Sequence, residues 1–100
     1  MQSITNAIDA IDAHFRKTEI SDETRLLQRV VKLNEEVGEL CEAVLYESDP
    51  NQRDKHKEIN FAGELADVTI CLLMLAKGKN INLWEAVETE LEKITQRLKI

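Results

Sequence analysis

The 100-residue sequence holds three glycines, one proline, four aromatic residues and two cysteines. So little turn chemistry argues against an all-β fold, which needs many chain reversals. Cys41 and Cys71 have no CxxC or Cys/His spacing, so neither a disulfide framework nor a zinc site is expected. Both lie in helical apolar runs and read as buried free thiols. The segment from Met1 to Asn6 has no basic or apolar region of the kind a signal peptide needs. The longest strongly apolar stretch, Val68 to Ala76, is too short to cross a bilayer. A reducing cytoplasm is the expected location, with no membrane partner. Clustered basic residues are missing as well. With 13 Lys and Arg against 19 Asp and Glu, the net charge is −6, which argues against binding a nucleic-acid polymer.

What is present is helical. Hydrophobic residues at 43% and charged ones at 32% suit one soluble domain spanning residues 1–100. A first helix is expected from about Thr5 to Lys17, with Ile4, Ile8, Ile11 and Phe15 on one stripe. Ser21 is the natural N-cap of a second helix that carries Leu26, Leu27, Val30, Leu33, Val37, Leu40 and Val44 and ends near Glu47. Asp22 and Glu23 fall in its first turn, where the helix dipole favours them. The polar segment from Ser48 to Lys57 contains the only proline and reads as an exposed loop. A third helix is expected from Glu58 to Lys77, apolar on almost every side in its second half, with Gly78 as its C′ residue. Asn82 and Glu85 form a capping box for a fourth helix, lined by Trp84, Val87, Leu91, Ile94 and Leu98. Four helices with short connections predict an all-α antiparallel four-helix bundle.

The acids are distributed oddly. Glu36 and Glu39 share one face of the second helix, and Glu64 and Asp67 repeat the spacing on the third. Glu35 adds a neighbouring carboxylate. Like charges on one face repel, and Asp67 stands at the mouth of the most apolar segment, where a carboxylate needs a positive partner. Two such pairs on adjacent helices make a cage for one or two Mg²⁺ or Mn²⁺ ions, which prefer oxygen ligands. The Glu-x-x-His pairs of di-iron bundles are missing, since neither His14 nor His56 follows a Glu at that spacing. All-oxygen ligation points to magnesium and phosphate chemistry.

Glu35-Glu36-Val37-Gly38-Glu39-Leu40, followed by Glu64-Leu65-Ala66-Asp67-Val68, resembles the EExxE…ExxD signature of the MazG-like nucleoside triphosphate pyrophosphohydrolases. Twenty-four residues, 40–63, separate the two halves, a spacing usual in that family. The resemblance covers about three quarters of the chain, from Leu26 through the fourth helix. It implies cleavage of a nucleoside or deoxynucleoside triphosphate between the α and β phosphates, and a place in nucleotide-pool house-cleaning. It implies Glu36, Glu39, Glu64 and Asp67 as Mg²⁺ ligands, and Glu35 as the group that orients or deprotonates the attacking water. Lys93 and Arg97 match family cations that face the phosphates, while Leu91 stands where the pattern has asparagine. Tyr46 matches an aromatic that stacks on the base in dCTP-preferring relatives; Cys71 replaces a second aromatic. Trp84 reads as a core or interface anchor.

The apolar third helix leaves more surface than four short helices cover, so a homodimer or a dimer of dimers is expected. Two alternatives stay open: a phosphoribosyl-ATP pyrophosphatase-like enzyme, and a non-catalytic helical module that binds metal or nucleotide.

Overall fold

Each helix begins where a short polar side chain can take up a free backbone N–H. The computed structural model describes residues 3–49, 51 and 59–100. In it, α1 (Ile4–Phe15), α2 (Asp22–Ser48), α3 (Phe61–Gly78) and α4 (Leu83–Leu98) make up an all-α fold. The caps are Ser3, Ser21, Asn60 and Asn82, each accepting from the N–H three residues on at 3.0–3.1 Å. Most of the loop expected before α3, together with Glu58 and His56, lies outside the described residues.

The end of α3 departs from expectation. Gly78 remains helical, and the left-handed position falls on Asn80, at φ 55°. Ile81 N–H reaches the Ala76 carbonyl and Asn80 N–H the Lys77 carbonyl, which is a Schellman closure two residues later than glycine suggested. Gly78 has a different use. A Cβ there would stand 3.2 Å from Arg29 Nη1, and that guanidinium donates to the Met74 carbonyl at 3.0 Å.

Helices α2 and α3 run antiparallel, with Arg29 opposite Met74 and Glu36 opposite Glu64 and Asp67. Helix α1 lies against α3, and Lys77–Asp9 ties the end of α3 to the middle of α1 at 2.9 Å. Beneath α1 is a charged knot. Asp12, only 4% exposed, accepts from Arg16 at 2.8 Å and from Arg29 at 2.7 Å. Burial alone would raise the Asp12 pKa, but the two guanidinium groups outweigh it and hold the carboxyl below its usual range.

The apolar core of the single chain is thin. Among the described residues only Ile8, Ala43, Cys71, Met74 and Ala76 are buried apolar side chains. Cys71 is buried as expected, but Cys41 is exposed, because its position on α2 turns away from α3. Helix α4 packs lengthwise on none of the other three. Its whole apolar stripe, Trp84, Val87, Leu91, Ile94 and Leu98, is left open, so Trp84 does not anchor the core of one chain. The radius of gyration is 16.8 Å, against about 13 Å for a compact 100-residue domain.

Candidate metal centre

The middle of α2 and the first two turns of α3 carry the acids. Glu36, Glu64 and Asp67 each offer a carboxylate oxygen to a group whose members lie within 4.8 Å of one another. The antiparallel pairing of the two helices brings the sequence-separated pairs face to face. Glu36 is 7% exposed, and Glu36 Oε2 and Glu64 Oε2 are buried with no hydrogen-bond donor. Two carboxylate oxygens shut away from water without a donor are costly, and a hard cation supplies what they lack. The residues therefore fit a divalent metal. The expectation that Asp67 sits in apolar surroundings is not met: Asp67 is exposed, and Glu36 and Glu64 carry the desolvation. The i+3 step that puts Asp67 beside Glu64 also turns it toward the open side of α3.

Glu39 stands next to this group. Its carboxyl is raised above the usual range, first by the Glu36 charge, then by desolvation and by Glu64. Glu35 is on the exposed flank of α2, 3.9 Å from Lys32. Lys32 also pairs with Glu36 at 3.0 Å, and that contact holds its ammonium above the usual range.

Beside the acids, α1, α2 and α3 enclose a cavity of about 420 Å³. Ile11, Phe15, Ile20, Ile70 and Met74 supply apolar walls, and Cys71 and Lys32 also line it. The Cys71 thiol is pushed up by burial first and then by the Glu36 charge, with Asp67 adding to it, which places the cavity wall within the field of the acids. Arg25, also on the wall, is buried; it donates to the Thr18 carbonyl at 3.1 Å, and its Nε and Nη1 have no acceptor.

The other sequence candidates are placed apart. Tyr46 is half-buried on α2 and does not line this cavity. Lys93 pairs with Glu90 at 3.0 Å on exposed α4, and Arg97 lies one turn further along. Helix α4 starts from the end of α3 remote from the acids, so a single chain does not bring either cation to them. Lys32, Arg25 and the cavity escaped the sequence reading. Lys32 alone left a signal, one turn before Glu36 on the same face.

No helix among the described residues is long and apolar enough to cross a membrane. No curated protein and no solved structure matches the chain. A family model, the MazG nucleotide pyrophosphohydrolase domain, matches residues 23–99, which takes in both acidic pairs and all of α2, α3 and α4 apart from the first residue of α2. By that match, over well more than half its length and centred on the carboxylate group, the chain belongs to the MazG nucleotide pyrophosphohydrolase family, hydrolases that act on phosphoanhydride bonds.

Proposed function

We propose that the chain is a Mg²⁺-dependent enzyme, Mn²⁺ substituting, that cleaves a nucleoside or deoxynucleoside triphosphate between the α and β phosphates. Water adds at phosphorus, the bond to the bridging oxygen breaks, and the products are a monophosphate and pyrophosphate. The observation that carries this reading is the convergence of Glu36, Glu64 and Asp67, with two buried acceptor oxygens lacking a donor, beside an apolar cavity. Glu36, Glu39, Glu64 and Asp67 would hold the metal. When bound, Mg²⁺ supplies charge neutralisation at the phosphates and acidifies coordinated water. Glu35 orients the water or takes its proton. The cavity receives the nucleoside half, its walls of Ile11, Phe15 and Ile20 excluding solvent from one side of the ring. A cytoplasmic role in cleaning the nucleotide pool suits a site with room for a ring and few groups that read its edge.

A homodimer or dimer of dimers completes the picture. The open stripe on α4 and the exposed Leu65, Ile70 and Leu72 on α3 need a cover, and a second copy has the matching surface. The same association offers Lys93 and Arg97 a route to the phosphates of a neighbouring site, and Tyr46 a route to its ring.

The test is pyrophosphate release from a panel of NTPs and dNTPs with Mg²⁺, comparing wild type with Glu39→Gln and Asp67→Asn. Wild type turns over at least one nucleotide, and each variant loses about 100-fold or more, as expected when a metal ligand is removed. No release from any nucleotide refutes the reaction; turnover that survives both substitutions refutes the ligand set.

A further inference from the structure

One face of α2 changes sign along its length. Arg25, Gln28, Arg29 and Lys32 recur at helical spacing and line the cavity, and the same stripe continues as Glu36 and Glu39 at the acids. At about 1.5 Å per residue, the stripe from Arg25 to Glu39 is roughly 21 Å long, and Lys32 is where it changes sign. Arg29 is spent on Asp12 and the Met74 carbonyl; Arg25 gives one donor to the Thr18 carbonyl and is buried seven residues further from the acids, its Nε and Nη1 without an acceptor. Lys32 differs from both. Among the described residues it pairs with Glu36 and Glu35, both acids of the candidate centre, and its side chain is 59% exposed. The Glu35 pair is open on both sides and adds little to folding, and the Glu36 pair offsets one buried carboxylate, a duty that a cation bound at the acids would take over.

Glu36 Oε1 holds Lys32 while Oε2 is the buried oxygen without a donor, so a divalent cation at Oε2 draws negative charge from the carboxylate and repels the ammonium at Oε1. A doubly charged ion at the carboxylate cluster removes the reason for the ammonium to stay there. Lys32 then sits on a flexible four-carbon stem at the seam between cavity and acids, with three donors free. A ligand with a ring in the cavity and phosphates at the acids must pass that seam.

We propose that Lys32 is a phosphate-binding residue that gives up its Glu36 ion pair when metal binds and takes the polyphosphate of the substrate at the mouth of the cavity. The inference rests on the pyrophosphohydrolase reading for the identity of the substrate but not for the contact itself. The acids and the metal alone would hold the phosphates from one side; Lys32 closes the other side and sets the distance between ring and metal.

Two measurements test this without a known base. In the first, Mn²⁺ is titrated calorimetrically into nucleotide-free wild type and Lys32→Met. The variant binds Mn²⁺ several-fold more tightly, because Glu36 no longer has a competing cation; equal or weaker binding overturns the exchange. In the second, inorganic triphosphate is titrated in the presence of Mg²⁺. Lys32→Met binds it about tenfold more weakly, the loss of one charge-assisted hydrogen bond, and Lys32→Arg recovers most of the affinity. A merely structural lysine would move neither value while the thermal midpoint fell. Wild-type binding of Mg²⁺-triphosphate that Lys32→Met leaves unchanged, or no wild-type binding at all, overturns the proposal. Triphosphate binding that depends on Lys32 in a protein that hydrolyses no nucleotide would leave this inference standing and remove the reaction instead.

Discussion

Replacing Glu64 by Gln sets the electrostatic cost of the carboxylate cluster against its use. Glutamine has the shape of glutamate, so the helix packing is kept while one of three charges within 4.8 Å is removed. Two unit charges at that separation repel by about 3 kcal/mol at an effective dielectric near 20. Glu64 takes part in two such pairs. Asp67 is exposed and screened by water, and Lys32 already offsets part of Glu36. The net relief is then about 2 kcal/mol, or roughly 10 °C in the midpoint of a domain this size. The new amide N–H₂ also gives the buried carboxylate oxygen of Glu36 a donor within reach. In EDTA, thermal unfolding at pH 7 should therefore find Glu64→Gln more stable than wild type. Adding Mg²⁺ to about 100 times its dissociation constant stabilises wild type by about 2.7 kcal/mol; the variant, one ligand short, gains much less, and the order of stability reverses. Both proteins are compared at one protein concentration, since association also raises the midpoint. A variant less stable than wild type in EDTA, or one that gains as much from Mg²⁺, would refute the reasoning.

Two further outcomes are expected. Asp12→Asn leaves Arg29, which is largely buried, without its counter-charge and should cost about 2–3 kcal/mol in urea unfolding at pH 7. Because the folded-state pKa of Asp12 is lowered, this contribution is present above the unfolded value of 3.8 and is lost as pH falls through the folded one. The gap between wild type and variant should close below about pH 4; a gap that persists there would mean packing, not charge, is responsible. Leu91→Glu together with Ile94→Glu puts charges into the open stripe of α4, a helix that packs lengthwise on no other helix of the chain. Light scattering after size exclusion should show a multiple of the 11.5 kDa chain for wild type and a smaller species for the variant. A monomeric wild type would refute the association.

The helices were legible because their causes are local. Ser21 and Asn82 were read as caps and both accept the expected N–H. The left-handed residue after α3 was misread, since Gly78 was the obvious candidate; its lack of a Cβ instead makes room for Arg29, a neighbour 49 positions away. Cys41 and Cys71 look alike in their runs, and only the pairing of α2 with α3 separates the exposed thiol from the buried one. The acidic pairs could be found because like charges at helical spacing are unfavourable without a reason. Lys93 and Arg97 were chosen by pattern on a helix that one chain leaves unpacked.

The charge balance shows the same division. Of the net −6, five charges belong to Glu35, Glu36, Glu39, Glu64 and Asp67, and 14 acids against 13 bases remain elsewhere. By itself the sequence determined that helices form, where α2 and α4 begin, and that the acidity is concentrated on two of them, because capping and 3.6-residue periodicity act within a few residues; α3 begins at Phe61, behind the Asn60 cap, later than the expected Glu58. Tertiary structure alone decided which carboxylates share a space. It buried Glu36 and one carboxylate oxygen of Glu64, left Asp67 open, placed Lys32 and a cavity beside them, and held α4 away. Those outcomes depend on the register of α2 against α3, which is settled by side chains tens of residues apart meeting in space.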